Sequence, residues 1–129
     1  MTTYQRVSGG SALEDRFGYS RAVRVGPWIS VAGSTAAGPD GPVGGSDITA
    51  QTREALGRIA ETLRQAGAST ADVVRTRLFA TDMAHFDRIG AVHREFFADV
   101  LPASTIVQVE RLVLPELLIE VEADAYRAE

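Results

Sequence analysis

A chain of 129 residues, 45% hydrophobic and 23% charged, has the size and balance of one packed domain over residues 1–129 rather than a disordered segment. Its net charge of −4 argues against nucleic acid as the main partner, and no apolar run approaches the roughly 20 residues of a membrane-spanning helix. All 13 basic residues are arginine and cysteine is absent. Side-chain Schiff bases, thiolate nucleophiles, disulfides and thiolate metal sites are therefore excluded.

Proton transfer is left to two histidines, the carboxylates and the tyrosines. The opening MTTYQRVSGG lacks the apolar centre of a signal peptide, so a cytoplasmic location is expected.

Thr3–Val7 reads as a short strand stopped by Gly9-Gly10. In SRAVRVGPWISVAGSTA, two apolar runs flank Gly26-Pro27: Ala22, Val23 and Val25 before it, Trp28, Ile29 and Val31 after it. That pattern predicts a hairpin. The stretch AAGPDGPVGG is a loop by its glycine and proline content. It lacks the GK[ST] ending of a phosphate-binding loop, which a chain without lysine cannot supply.

SDITAQTREALGRIAETLRQAG predicts a helix. Ser46 or Asp47 can cap its start, and Ile48, Leu56, Ile59 and Leu63 recur at helical spacing around Thr52 and Ala55. Gly67 suits the left-handed position after its end.

Val73–Ala80 reads as a strand, with Arg75 and Arg77 on one face. MAHFDRIGAVHREFFADV reads as a second amphipathic helix striped by Phe86, Ile89, His93, Phe96, Phe97 and Val100, and closed by Leu101-Pro102. STIVQVERL and ELLIEVEADAY complete the strands, and Trp28 and Phe79 are expected in the core. The order β-ββ-α-β-α-ββ predicts an α+β fold. Two helices can cover only one face of a six-stranded sheet, so the other must be solvated or buried by a partner.

The last strand carries an acidic stripe. Glu120, Glu122 and Asp124 alternate and share one face, while Ile119, Val121, Ala123 and Ala125 suit the helix-covered face. Carboxylates strung along a strand at about 7 Å intervals do not converge as a divalent metal requires, so no metal site is expected. Glu122 and Asp124 read as solvated or interfacial.

Five stretches, in order, resemble the RidA/YjgF-like proteins, the reactive-intermediate deaminase family. They are GYSRAVRVGPWISVAGSTA, TREALGRIAETLRQAGAS, DVVRTRLFATDM, HREFF and LPASTIVQVERL with LLIEVEADA. The resemblance covers essentially the whole chain. It implies a chorismate-mutase-like fold, a six-stranded mixed sheet with two helices on one face. It also implies a homotrimer with a barrel-like centre and a ligand cleft at each subunit interface. The implied chemistry is hydrolysis of small imines and enamines to keto acids and ammonia, with no metal or organic cofactor. Neither nucleic acid nor membrane is implied as a partner.

By the same resemblance Glu120 lies in the cleft and positions or activates water, Tyr19 borders the pocket, and Gly33 precedes it. Deaminase members carry an arginine directly after Pro-Ala. Here Ser104 stands in its place, followed by Thr105, with nearby backbone groups left to polarise a substrate. Hydrogen bonds to charged groups contribute about 1.5–3 kcal/mol, so the change predicts roughly tenfold to hundredfold weaker capture of a 2-imino acid. A standard 2-aminoacrylate deaminase is therefore not expected.

Gly90 and His93 also depart from the asparagine and tyrosine usual in deaminases. His93 is either an inert buried or interfacial histidine or an acid/base partner sharing the cleft with Glu120. Arg21 is either a solvated strand residue or a relocated anion anchor, with Arg75 and Arg77 as weaker candidates for that role. A non-catalytic small-ligand binder is the alternative function, and RNA cleavage a remote one.

Overall fold

A computed structural model describes residues 3–128. Nine principal elements follow one another. They are β1 (Tyr4–Val7), α1 (Ala12–Phe17), β2 (Ala22–Val25), β3 (Trp28–Ser34), α2 (Ile48–Gln65), β4 (Val73–Ala80), α3 (Phe86–Phe97), β5 (Ala103–Gln108) and β6 (Ile119–Tyr126). The strands form one mixed sheet in the order β1-β2-β3-β6-β4-β5. Every pairing is antiparallel except β4 with β5.

The last strand is thus central. β6 lies between β3 and β4, while α2 carries the chain from β3 over to β4 and α3 carries it from β4 to β5. Parallel neighbours need such crossovers, and both helices pack on the same face. There Leu56, Ile59 and Leu63 of α2 join Ile89, Val92 and Phe97 of α3 in one core with Ile119, Val121, Ala123 and Ala125 of β6. Burial alternates strictly along β6, as the acidic stripe predicts.

The local rules hold where side chain meets backbone. Asp47 caps α2 by accepting from the Thr49 amide. Gly67, at φ +85°, and Ala68 close its end, with Gly67 N–H donating to Arg64 O and Ala68 N–H to Leu63 O. Gln51, fully buried on α2, donates to Gly45 O and Glu116 O and accepts from Leu118 N–H. One side chain therefore holds the glycine-rich loop and the start of β6 to the helix.

Several expectations are corrected. A short helix, α1, precedes the hairpin, so a third helix joins the two foreseen. Its signal was Ser11-x-x-Glu14, a capping box in which Ser11 accepts from the backbone while Glu14 reaches back to the cap amide. Residues Met83–His85 form a separate 3₁₀ turn, and Phe86, placed on the apolar stripe, is 51% exposed. Val92 supplies that stripe instead. β5 stops at Gln108 rather than running on to Leu112.

Trp28 is not a core residue. It is 55% exposed on the open face, edge-on to Tyr126. Phe79 shares that face and is only half-buried, because the buried positions of β4 are Val73, Thr76, Leu78 and Ala80. Large apolar side chains lying on the face without helices are what both residues have in common.

Candidate functional site

Glu120 sits where the sheet is irregular. Val31 pairs with Ala123 but Ser34 with Val121, so Ala32 and Gly33 together oppose Glu122 in a bulge. A β-carbon on Gly33 would overlap the Glu120 carboxylate. The missing side chain is thus what lets the carboxylate lie against β3. The Gly33 carbonyl is held by Arg21, whose Nη2 donates to it at 2.5 Å and to Ser34 Oγ at 3.4 Å. Arg21 Nε is buried with no partner, and the guanidinium carbon lies 5.8 Å from the centre of the Tyr19 ring.

These residues border a cavity of about 490 Å³, with Glu14 and Val113 also on its wall. Glu14 is the residue that sequence reasoning missed. It is buried and accepts from Gly9 N–H, Ser11 N–H and Ser8 Oγ, fixing the loop that roofs this end. Arg21 is therefore not a solvated strand arginine but part of the cavity wall.

Glu120 has no hydrogen-bond or ion-pair partner among the described residues, unlike its two neighbours on the stripe. Arg77 reaches Glu122 at 3.4 Å and Asp124 at 3.2 Å, and Ser30 donates to Asp124 at 3.0 Å. Burial pushes the Glu120 carboxyl above its ordinary range; the Arg21 guanidinium opposes that shift and Glu122 adds to it. A half-buried carboxyl with no partner among the described residues and a raised pKa is better suited than an ordinary carboxylate to take and return a proton.

A second group lies on the helix-covered face. Thr76 Oγ1 is 2.8 Å from His93 Nε2 and 2.8 Å from Ser104 Oγ. Thr76 is fully buried, His93 half-buried and Ser104 exposed on the sheet edge. The His93 ring packs at a tilt against Phe97, 4.7 Å between ring centres, and opens to a smaller pocket of about 240 Å³ with Gly90, Arg94, Leu101 and Pro102. Burial lowers its pKa.

The predicted residues therefore separate into two sets. Tyr19, Arg21, Gly33 and Glu120 gather at one cavity. Ser104 and His93 are joined through Thr76, and Thr105 turns to the open face beside Arg77. Glu120 pairs with Phe79, whereas Ser104 pairs with Thr76, on the other face and two strands from β6. That offset is about 10 Å along the strands and about 10 Å across them. Within one chain the sheet lies between His93 and Glu120, so only two copies could bring them into one cleft.

Residues 9–127 match the family model described as Endoribonuclease L-PSP. The fold superimposes on the crystal structure of Rv2704 from Mycobacterium tuberculosis, a member of the YjgF/YER057c/UK114 family. The TM-score is 0.89 at 48% identity, over 96% of this chain and 99% of that one. A RutC family protein of Pyrococcus abyssi is 38% identical over 84% of this chain and 86% of its own length. The 3-aminoacrylate deaminase RutC of Acinetobacter baylyi is 40% identical over 62% of this chain and 63% of its own. The sheet order and these likenesses agree, and the chain belongs to the RidA/YjgF family, the one whose model is described as Endoribonuclease L-PSP.

Proposed function

We propose that this protein hydrolyses a small imine, enamine or related carbonyl compound, with Glu120 handling the proton of the attacking water. Water adds to the carbon of the protonated C=N bond as Glu120 takes its proton, giving a neutral carbinolamine. That proton returns to nitrogen, and as the C–N bond breaks the carbinolamine hydroxyl gives its proton to Glu120, releasing ammonia and leaving a carbonyl compound. The observation that carries this reading is the unpaired Glu120 carboxyl, raised by burial and braced against the Gly33 bulge. A group whose pKa lies closer to neutral both accepts and returns a proton efficiently. Arg21, with its unpartnered buried Nε, is the candidate anchor for the ligand's polar end.

A homotrimer is the assembly this reading uses. The sheet face opposite the helices is uncovered, with Trp28 at 55% and Tyr126 at 46% exposure, and β5 is an unpaired edge. A second copy against β5 would bring its Glu120 toward this chain's Ser104, completing a cleft. Sedimentation at micromolar concentration tests this, and a monomer would remove the shared cleft.

Ser104 directs the reading away from a standard 2-aminoacrylate deaminase, in a branch without the carboxylate-gripping arginine. The deciding assay generates 2-iminobutyrate with an amino-acid oxidase and follows keto-acid release against a trap for free imine. Wild type, Glu120→Gln and Ser104→Arg run together. Acceleration by wild type or by Ser104→Arg, lost in Glu120→Gln, supports the reading; acceleration untouched by Glu120→Gln removes Glu120 from it.

A second reading, a non-catalytic binder of small metabolites, draws on the separation of His93 from Glu120 within one chain, which leaves no histidine on the wall of the Glu120 cavity among the described residues. Stoichiometric binding without turnover would favour it. The family description includes RNA cleavage, but a net charge of −4 and an acidic stripe on the open face disfavour an RNA track. Salt-sensitive RNA binding at low micromolar affinity would revive that role.

A further inference from the structure

The Ser104–Thr76–His93 chain runs from the exposed sheet edge through a fully buried hydroxyl to an imidazole. Each hydroxyl carries one proton, so the chain has two senses. With a proton on His93 Nε2, the ring donates to Thr76, Thr76 donates to Ser104, and the Ser104 proton is free to point outward. With Nε2 bare, Thr76 donates to the ring, Ser104 donates to Thr76, and only lone pairs face outward. Thr76 has no other hydrogen-bond partner among the described side chains with which to escape this coupling.

Charge near Ser104 is scarce. β5 bears no charged residue from Ala103 to Gln108. Arg75 and Arg77 of β4 lie on the opposite sheet face, and Arg77 is engaged by Glu122 and Asp124. Around His93, Arg94 lines the adjoining pocket, whose wall includes neither Thr76 nor Ser104. Glu95 of α3 is paired with Arg53 of α2. Asp72, in the turn packed against α3, is engaged by Ser69 and Arg127, and Asp82 caps the turn before α3. Within one chain, no cation among the described residues is positioned to hold a carboxylate at the Ser104 hydroxyl.

We propose that Ser104 is a specificity-determining contact for an uncharged hydrogen-bond acceptor, a keto or amide carbonyl, and that His93 is a positioning residue that orients the Ser104 hydroxyl through Thr76. This rests on the reading that β5 borders the ligand cleft. A bound carbonyl selects the outward-donating sense and therefore fixes the proton on Nε2. A carboxylate there gains a single hydrogen bond with no countercharge to offset its loss of hydration, a cost that a neutral carbonyl largely escapes.

The test uses the 129-residue chain at pH 8, above the His93 pKa that burial lowers, with pyruvamide and pyruvate as probes. The nitrogen NMR shifts of the His93 ring report its tautomer. Expected are tighter binding of pyruvamide than pyruvate, a shift toward the Nε2–H tautomer on binding, and about threefold to tenfold weaker pyruvamide binding in Ser104→Ala. In Thr76→Val, which keeps the buried shape, the probe still binds but the tautomer ratio no longer moves. Preference for pyruvate, an unmoved ratio in wild type, or a ratio that still moves in Thr76→Val overturns the proposal alone. If neither probe perturbs β5 or the Glu120 cavity, the small-carbonyl reading of the cleft falls too.

Discussion

Gly33 and Glu120 occupy each other's space: the carboxylate lies where a β-carbon on residue 33 would be. The bulge places an unsubstituted backbone beside the one carboxylate of the acidic stripe that has no partner among the described residues. Gly33→Ala is expected to displace the carboxylate from β3 and to cost about 1–3 kcal/mol, the usual penalty for overfilling a packed site. The imine hydrolysis proposed for this site should fall with it by at least about tenfold, since misplacement by about 1 Å costs up to a hundredfold. Urea unfolding and the keto-acid assay measure the two effects, and full activity in the variant would show that the bulge does not set the carboxylate.

Glu120 also has a pH signature. Its folded-state pKa is raised, mainly by burial, so the folded state binds the proton more tightly than the unfolded chain does. The group therefore favours folding below the unfolded value near 4.5, and that contribution is lost as pH rises through the folded value. Glu120→Gln should raise the thermal midpoint at pH 7 relative to wild type, with the gain shrinking toward pH 4. A variant that is less stable at pH 7 would mean that the carboxylate is a stabilising partner after all.

His93 should act in the opposite direction. Burial lowers its folded pKa below the ordinary 6.5, so its contribution is present above pH 6.5 and is lost as pH falls toward the folded value. Wild type should lose more stability than His93→Phe between pH 7 and pH 5. Equal losses, followed by denaturant midpoints at each pH, would show that the ring is not desolvated in solution.

Gln51 offers a purely structural test. Replacing it with leucine leaves the Gly45 and Glu116 carbonyls and the Leu118 amide without their side-chain partner. A buried group left unpaired costs about 1–3 kcal/mol, and because Gly45 and Glu116 are exposed enough for water to reach their carbonyls, a total loss of about 1–3 kcal/mol is expected. Because Leu118 lies just before Ile119, amide exchange should also quicken at the start of β6. Unchanged exchange there would show that the strand is held by its sheet neighbours alone.

The chain's periodicities carried much of the fold. Ile48, Leu56, Ile59 and Leu63 lie at helical spacing and are all fully buried, and the two-residue period of β6 separates carboxylates from core. These patterns are local, so adjacent residues suffice to reveal them. Trp28 and Phe79 were misplaced because a large apolar side chain reads as core wherever it occurs. Which sheet face the helices cover depends on crossovers between β3, β4 and β5. The α1 helix was visible as Ser11-x-x-Glu14, a signal that six residues of helix make easy to overlook.

The sequence by itself determined the reagents: no lysine, no cysteine, one acidic stripe, and Ser104 after Pro-Ala. It also carried the family resemblance that the family model and the structural likeness bear out. Only the tertiary structure decided which reagents meet. Glu120 joins Tyr19, Arg21 and Gly33 because a bulge shifts β3 against β6, while Ser104 joins His93 because β5 pairs in parallel with β4 and brings Thr76 between them. Strand register and the choice of sheet face arise from contacts between residues far apart in the chain, and no local pattern encodes them.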